Sequence, residues 1–287
     1  MKIRHIKIIL PLLLLFCLLY VPAEAQKYDV ASIPPEMIKD ADAVIRLRDI
    51  NFNINSVSSA TYTIREVITI LNETALELSV YTGVSDKFTT SHFDRIIIYD
   101  KDGKKIKSFG SSYLKPQTFN TGTIYDDVYY SSVDPEYRTF PFTVEKTYSI
   151  SYNGTFQLPS WQVYNNYGVS TEKTSFTVTT PLNYNLRYRE QNLKDPVRIA
   201  KDKSSISYSW SAENIPAILS ENYSTGLDKY TPEVFLAPTN FEIGGKTGNA
   251  TTWESFGLFE AGLIKDRDNL DGPVADTVRK IIAGTAD

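Results

Sequence analysis

The sequence is nearly empty of the side chains that carry most protein chemistry. Its 287 residues include one cysteine, Cys17, and two histidines, His5 and His92. Thiolate nucleophiles, imidazole bases and soft metal ligands are scarce from the outset. An excess of positive charge is also missing: 30 basic side chains face 34 acidic ones, a formal net charge of −4. The basic footprint of a nucleic-acid binder is therefore absent. With 42% hydrophobic and 22% charged residues, the chain is neither a disordered polyelectrolyte nor a multi-span membrane protein.

The first long apolar run belongs to a targeting segment. Lys2, Arg4 and Lys7 precede the apolar stretch from Ile8 to Val21, followed by Pro22 and Ala23-Glu24-Ala25. That is the order of a secretory signal peptide. The run falls short of the roughly 20 apolar residues a membrane-spanning helix needs, and it contains Pro11. Cleavage is expected after Ala25, with Gln26 as the first mature residue. Leu15-Phe16 precede Cys17 where a lipoprotein site would carry small residues, which argues against a lipid anchor. Removing these 25 residues takes away three basic and one acidic side chain, leaving 27 basic against 33 acidic. The exported chain then has no thiol and one imidazole, His92. A hydrophobic core can stabilise a chain of this length without cross-links.

What the sequence has in abundance is β pattern. From about Val44 to Ile243, period-two alternation rich in Tyr, Thr, Val, Ile and Phe is broken every dozen or so residues by Gly, Pro, Asn and Asp. One strand places Val144, Lys146, Tyr148, Ile150 and Tyr152 on one face. Its other face, Glu145, Thr147, Ser149 and Ser151, is expected to meet water. In another, Ala60, Tyr62, Ile64, Ile68 and Ile70 share a face, and in a third Thr174, Phe176 and Val178 oppose Ser175, Thr177 and Thr179. Asp102-Gly103 supplies the positive φ a tight hairpin turn requires, between Arg95–Tyr99 and Lys105–Phe109. Lys201-Asp202-Lys203 joins a second hairpin. About ten such segments predict an antiparallel β-sandwich over 26–243, immunoglobulin-like or a larger two-sheet form.

Beyond Gly244-Gly245 the pattern turns helical over 244–287. Thr251 and Glu254 have capping-box spacing, and Trp253, Phe256, Phe259 and Leu263 follow at helical intervals. A second helix begins near Pro273 and gathers Val274, Val278, Ile281 and Ile282 on one side.

Catalytic constellations fare poorly. Ser91-His92-Phe93-Asp94 brings Ser, His and Asp together in sequence, but on a strand Ser91 and Phe93 point away from His92, whereas a triad needs the base bonded to nucleophile and carboxylate at once. Zinc needs several His or Cys ligands. A carboxylate-dependent glycan-active enzyme needs only two acids across a cleft. Asp126 and Asp127 are the candidates, with Asp134 and Glu136 nearby, but neighbours on a strand face opposite sides. The same acids lack the spacing of a calcium loop. The sequence calls for no cofactor and no metal. Aromatic clusters are the remaining signal: Trp161, Tyr164 and Tyr167 interleaved with amides, and Tyr125, Tyr129 and Tyr130. Such rings can stack on a glycan or grip a peptide, as a recognition or adhesion domain would. They also suit ordinary strands that span core to surface.

Several segments together read as a family signature. Asp100-Lys101-Asp102-Gly103-Lys104 follows an apolar strand, and Thr139-Phe140-Pro141 leads into Val144-Glu145-Lys146-Thr147-Tyr148. Tyr208-Ser209-Trp210, Asn214-Ile215-Pro216-Ala217 and Glu221 come next, then Ala237-Pro238, Phe241 and Trp253-Glu254-Ser255-Phe256-Gly257. In this order they resemble the bacterial family called domain of unknown function 3857. The resemblance implies a β module directly upstream of a transglutaminase-like core, a papain-type fold with a Cys-His-Asp triad. It implies a partner domain C-terminal to Asp287. No residue here matches the triad, so the chain is expected to be a non-catalytic module.

Overall fold

The structure, a computed structural model, describes residues 28–117, 127–163, 166–267 and 269–283. The expected signal segment, with Cys17 and His5, lies outside them. In chain order come helix α1 (Pro35–Ile38) and strands β1 (Ala43–Ser56), β2 (Ser59–Ile70), β3 (Tyr81–Ser85), β4 (Thr89–Tyr99), β5 (Lys105–Phe109), β6 (Lys115–Gln117), β7 (Tyr129–Val133) and β8 (Phe142–Asn153). There follow β9 (Trp161–Gln162), β10 (Val169–Pro181), β11 (Leu186–Gln191), β12 (Arg198–Lys201), β13 (Ser205–Ile215), β14 (Glu233–Pro238), β15 (Asn240–Ile243) and β16 (Lys246–Asn249). Helices α2 (Trp253–Ile264) and α3 (Gly272–Ile282) end the described chain.

One sheet dominates, in the order β12-β13-β10-β1-β2-β8-β4-β5. β1 and β10 run parallel and the other neighbours antiparallel, so the sandwich is mixed where the sequence predicts antiparallel strands throughout. The alternation works as expected on β2: Ala60, Ile64, Ile68 and Ile70 are buried on one face. The second layer over that face is split. Sheet β3-β7-β6 closes a core made by Ile45, Ile68, Ile96, Val144, Tyr81 and Val133. Sheet β11-β14-β9 closes a second core around Phe52, Ile64, Phe176, Trp161, Val234 and Trp210. Tyr148 packs against both. On the opposite face α1 covers Val44 with Ile33 and Met37.

Both hairpins read from turn chemistry are present, β4–β5 around Gly103 with φ 77° and β12–β13. In the second, Asp202 Oδ1 accepts from the backbone N–H groups of Ser204 and Ser205, both at 2.7 Å. These bonds and the two serine hydroxyls hold its carboxyl at about 2.

Three expectations change. Gly244-Gly245 is a hairpin turn, and β structure continues through Asn249. The cap of α2 is Thr252 with Ser255 in a reciprocal box, one residue beyond the expected Thr251 and Glu254, because Asn249 Oδ1 already accepts from the Thr251 N–H at 2.9 Å. The helix buries Phe259, while Trp253 is 90% exposed.

Candidate functional site

The inner face of the large sheet carries an ionic row between its two cores. Cross-strand register sets Arg48 of β1 opposite Glu66 of β2, and Glu66 opposite Lys146 of β8. All three are buried. Glu66 and Lys146 stand on apolar faces by simple alternation. So does Arg48, in step with Ile50, Phe52 and Ile54, while a register shift between Ile45 and Leu47, a bulge, brings Ala43 and Ile45 onto the same face.

Glu66 Oε1 accepts from Arg48 Nε at 2.6 Å and pairs with Arg48 Nη2 at 2.6 Å. Its Oε2 lies 3.1 Å from Lys146 Nζ. Burial pushes the Glu66 carboxyl up, but the attraction and hydrogen bonds of Arg48 and Lys146 prevail and bring it to about 2. Lys146 Nζ also donates to the carbonyls of Leu78 at 2.8 Å and Val80 at 3.4 Å, tying the segment that enters β3 to the large sheet. A crevice of about 240 Å³ opens beside the row, walled by Tyr62, Tyr148 and the segment Ser160–Gln162. Burial raises both tyrosine hydroxyls, with Tyr152 adding to the effect at Tyr62 and Glu66 at Tyr148.

A second ion pair lies on the outer face. Arg65 Nε donates to Glu145 Oε1 at 2.8 Å, and the Tyr99 hydroxyl donates to Glu145 Oε2 at 2.9 Å. Glu145 is 6% exposed, which corrects the expectation that its strand face meets water.

The aromatic candidates among the described residues, Trp161, Tyr167 and Tyr129, do not form one platform. Trp161 is 1% exposed and lies in the core, its ring 6.2 Å from that of Phe176 and its Nε1 donating to Thr174 Oγ1 at 3.3 Å. It reaches the crevice only as part of its wall and has no free ring face for a sugar. Tyr129 is 72% exposed on β7, in a different sheet from Trp161. Tyr167 is half-buried just before β10. Tyr125 and Tyr164 lie outside the described residues, as does Asp126. Asp127 is exposed, and Asp134 Oδ1 accepts from the Glu136 N–H at 2.7 Å. His92 is exposed and within hydrogen-bond distance of Ser151 Oγ, 3.0 Å, a cross-strand contact. Among the described residues no cluster of three or more His, Cys, Asp or Glu side chains is placed to hold a metal ion. No described helix is long and apolar enough to cross a membrane.

A larger crevice, about 360 Å³, lies where β8 meets the β15–β16 hairpin, lined by Asp86, Tyr152, Phe156 and Glu242 among others. Asp86 is committed: its Oδ1 accepts from the N–H groups of Phe88 and Thr89 and from the Thr89 hydroxyl. Burial opposes these bonds, yet the carboxyl is held below its ordinary range, so it is no proton donor near neutral pH. Beside it, Phe156, Phe241, Phe256 and Phe259 pack α2 onto the hairpin. The apolar side of α3, in contrast, is exposed among the described residues, at Val274, Val278 and Ile281.

No curated protein matches the chain. Among solved structures it resembles a candidate protease from Parabacteroides distasonis ATCC 8503, with TM-score 0.63 and 14% identity over 86% of this chain and 47% of that one. The chain thus spans about half the length of that protein, and the likeness is one of fold. A Legionella pneumophila aminopeptidase A in complex with aspartic acid aligns with TM-score 0.32 and 9% identity over 74% of this chain and 22% of that one. A family model matches residues 57–219, more than half of the chain. The chain belongs to DUF3857, a domain of unknown function with a solved structure.

Proposed function

We propose that the chain is a non-catalytic, exported β-sandwich module that accompanies a transglutaminase-like or cysteine-peptidase-like core, its C-terminal helices forming the junction. The observation that carries this reading is the exposure of Val274, Val278 and Ile281 on the apolar side of α3, which sits at the C-terminal end of the described chain. The Parabacteroides fold relative, a candidate protease about twice as long, supports a protease-associated setting. The scarcity of nucleophile and base supports the non-catalytic part: after export the chain would keep only His92, whose described partner is a surface serine. The N-terminal charge and apolar pattern supports delivery to the periplasm or cell surface.

The test is the coding sequence beyond Asp287. A continuing frame that encodes a Cys-His-Asp core is the expected result, with peptide-cleaving activity confined to the longer product. A stop codon directly after Asp287, or peptide cleavage by the present chain alone, overturns the reading.

A further inference from the structure

The crevice beside the ionic row is lined largely by polar side chains. Arg48 is about nine-tenths buried, and Glu66 engages its Nε and Nη2. Its Nη1 has no hydrogen-bond partner among the described residues. The Tyr62 and Tyr148 hydroxyls, on the same wall, also bond to no described residue. Arg48, Tyr62 and Tyr148 thus line the same space of about 240 Å³, and donors there that bond to no described protein group are available to a bound acceptor. Burial keeps both tyrosines protonated near neutral pH, so they offer O–H groups.

Charge narrows the acceptor. The row sets two cations against one carboxylate, an excess of one positive charge. Lys146 is turned away onto Glu66 and two backbone carbonyls, so the excess is presented by Arg48. The nearby Glu233 stands behind Gln162, whose amide it accepts at 2.8 Å, and does not line the crevice. A monoanion matches this surplus; a dianion such as phosphate overshoots it, and an apolar ligand strands all three donors. An arginine edge flanked by hydroxyl donors suits the planar, two-oxygen geometry of a carboxylate.

We propose that this crevice is a binding site for a carboxylate, held by Arg48 and the Tyr62 and Tyr148 hydroxyls. It is independent of the junction at α3. The carboxylate can belong to a peptide or to a free small acid, and the test separates the two. The purified chain is titrated calorimetrically with N-acetyl-Ala-Ala, with its C-terminal amide, and with acetate. The free-acid peptide or acetate is expected to bind, and the amide at least about ten-fold more weakly, the effect of losing a charged hydrogen-bond acceptor. Binding by acetate as tight as by the peptide assigns the site to small acids; binding by the peptide alone assigns it to chain termini. The variants Tyr62→Phe and Tyr148→Phe, made singly, keep the ring packing and are expected to weaken binding by about five-fold or more. Equal binding of acid and amide, no heat from either acid, or full affinity in both tyrosine variants overturns the proposal. The acid-against-amide comparison on the unaltered chain decides it even if a variant fails to fold.

Discussion

At the scale of single residues, Glu66 decides the most. It is the shared anion of two buried cations, so removing its charge leaves Arg48 and Lys146 facing each other across a desolvated seam. Glu66→Gln is expected to destabilise the chain by about 3–5 kcal/mol at neutral pH, read as a lower urea midpoint with unchanged slope. Replacing the whole row, Arg48→Met with Glu66→Leu and Lys146→Met, removes the desolvation cost along with the attraction and is expected to leave stability within about 2 kcal/mol of the natural chain. If the triple variant is as weak as Glu66→Gln, the row is a net stabiliser and this account of it is wrong. The same carboxyl sets an acid limit. It titrates at about 2 in the folded chain against an ordinary 4.5, so the unfolded state binds the proton more readily. Its stabilisation is complete above pH 4.5 and is lost as pH falls through 2, a change of about 3 kcal/mol. Stability measured across that window should fall less steeply in Glu66→Gln, and parallel curves would mean that other carboxylates govern the acid limb.

At the scale of elements, Gly154 at the end of β8 holds the C-terminal hairpin in place. Its φ is +116°, and a Cβ there would run into the Glu242 carbonyl, which accepts from the Thr155 N–H at 3.1 Å. Thr155 Oγ1 donates to the Val57 carbonyl at 2.7 Å, and the Glu242 N–H donates to the same carbonyl at 3.1 Å. Gly154→Ala is expected to cost about 3 kcal/mol and to expose β15, β16 and α2 to hydrogen exchange while the eight-stranded sheet stays protected. Unchanged protection in the hairpin would show that this knot does not hold it. Gly154 was not singled out by sequence, because a glycine after a strand reads as ordinary turn punctuation until its carbonyl neighbour is known. Local signals were legible: Asp102-Gly103 turns a hairpin, and β2 keeps Ala60, Ile64, Ile68 and Ile70 on one buried face as written. The charged row was half legible, since Glu66 interrupts the apolar face of Ala60, Ile64 and Ile68, and Lys146 shares a face with Val144 and Tyr148. The rest depended on pairing between distant segments. No short-range pattern announces the bulge between Ile45 and Leu47, the parallel pairing of β1 with β10, or the division of the covering layer.

At the scale of the whole molecule, two apolar surfaces at the C-terminal end behave differently, and the contrast gives the last prediction. The ring cluster of Phe156, Phe241, Phe256 and Phe259 is internal packing: the Phe241 and Phe259 centroids lie 4.9 Å apart, nearly perpendicular. The side of α3 formed by Val274, Val278, Ile281 and Ile282 faces solvent, although the helix is well formed, with Asp271 accepting at its start from the Val274 N–H at 3.2 Å and Pro273 in its first turn. A helix that keeps its polar face wet and its apolar face bare buries too little to stabilise itself. It gains stability by docking, and exposed apolar stripes of this kind mark interaction sites. The double variant Val278→Lys with Ile281→Lys is therefore expected to leave the melting temperature of the isolated chain within about 1 °C, since surface substitutions away from packed sites change stability little. Under the proposed arrangement with a C-terminal core, the same pair is expected to loosen the junction and lower the peptide-cleaving activity of the longer product. A drop in melting temperature of several degrees in the isolated chain would instead place α3 within the module's own core, and the junction would have to be sought elsewhere on its surface.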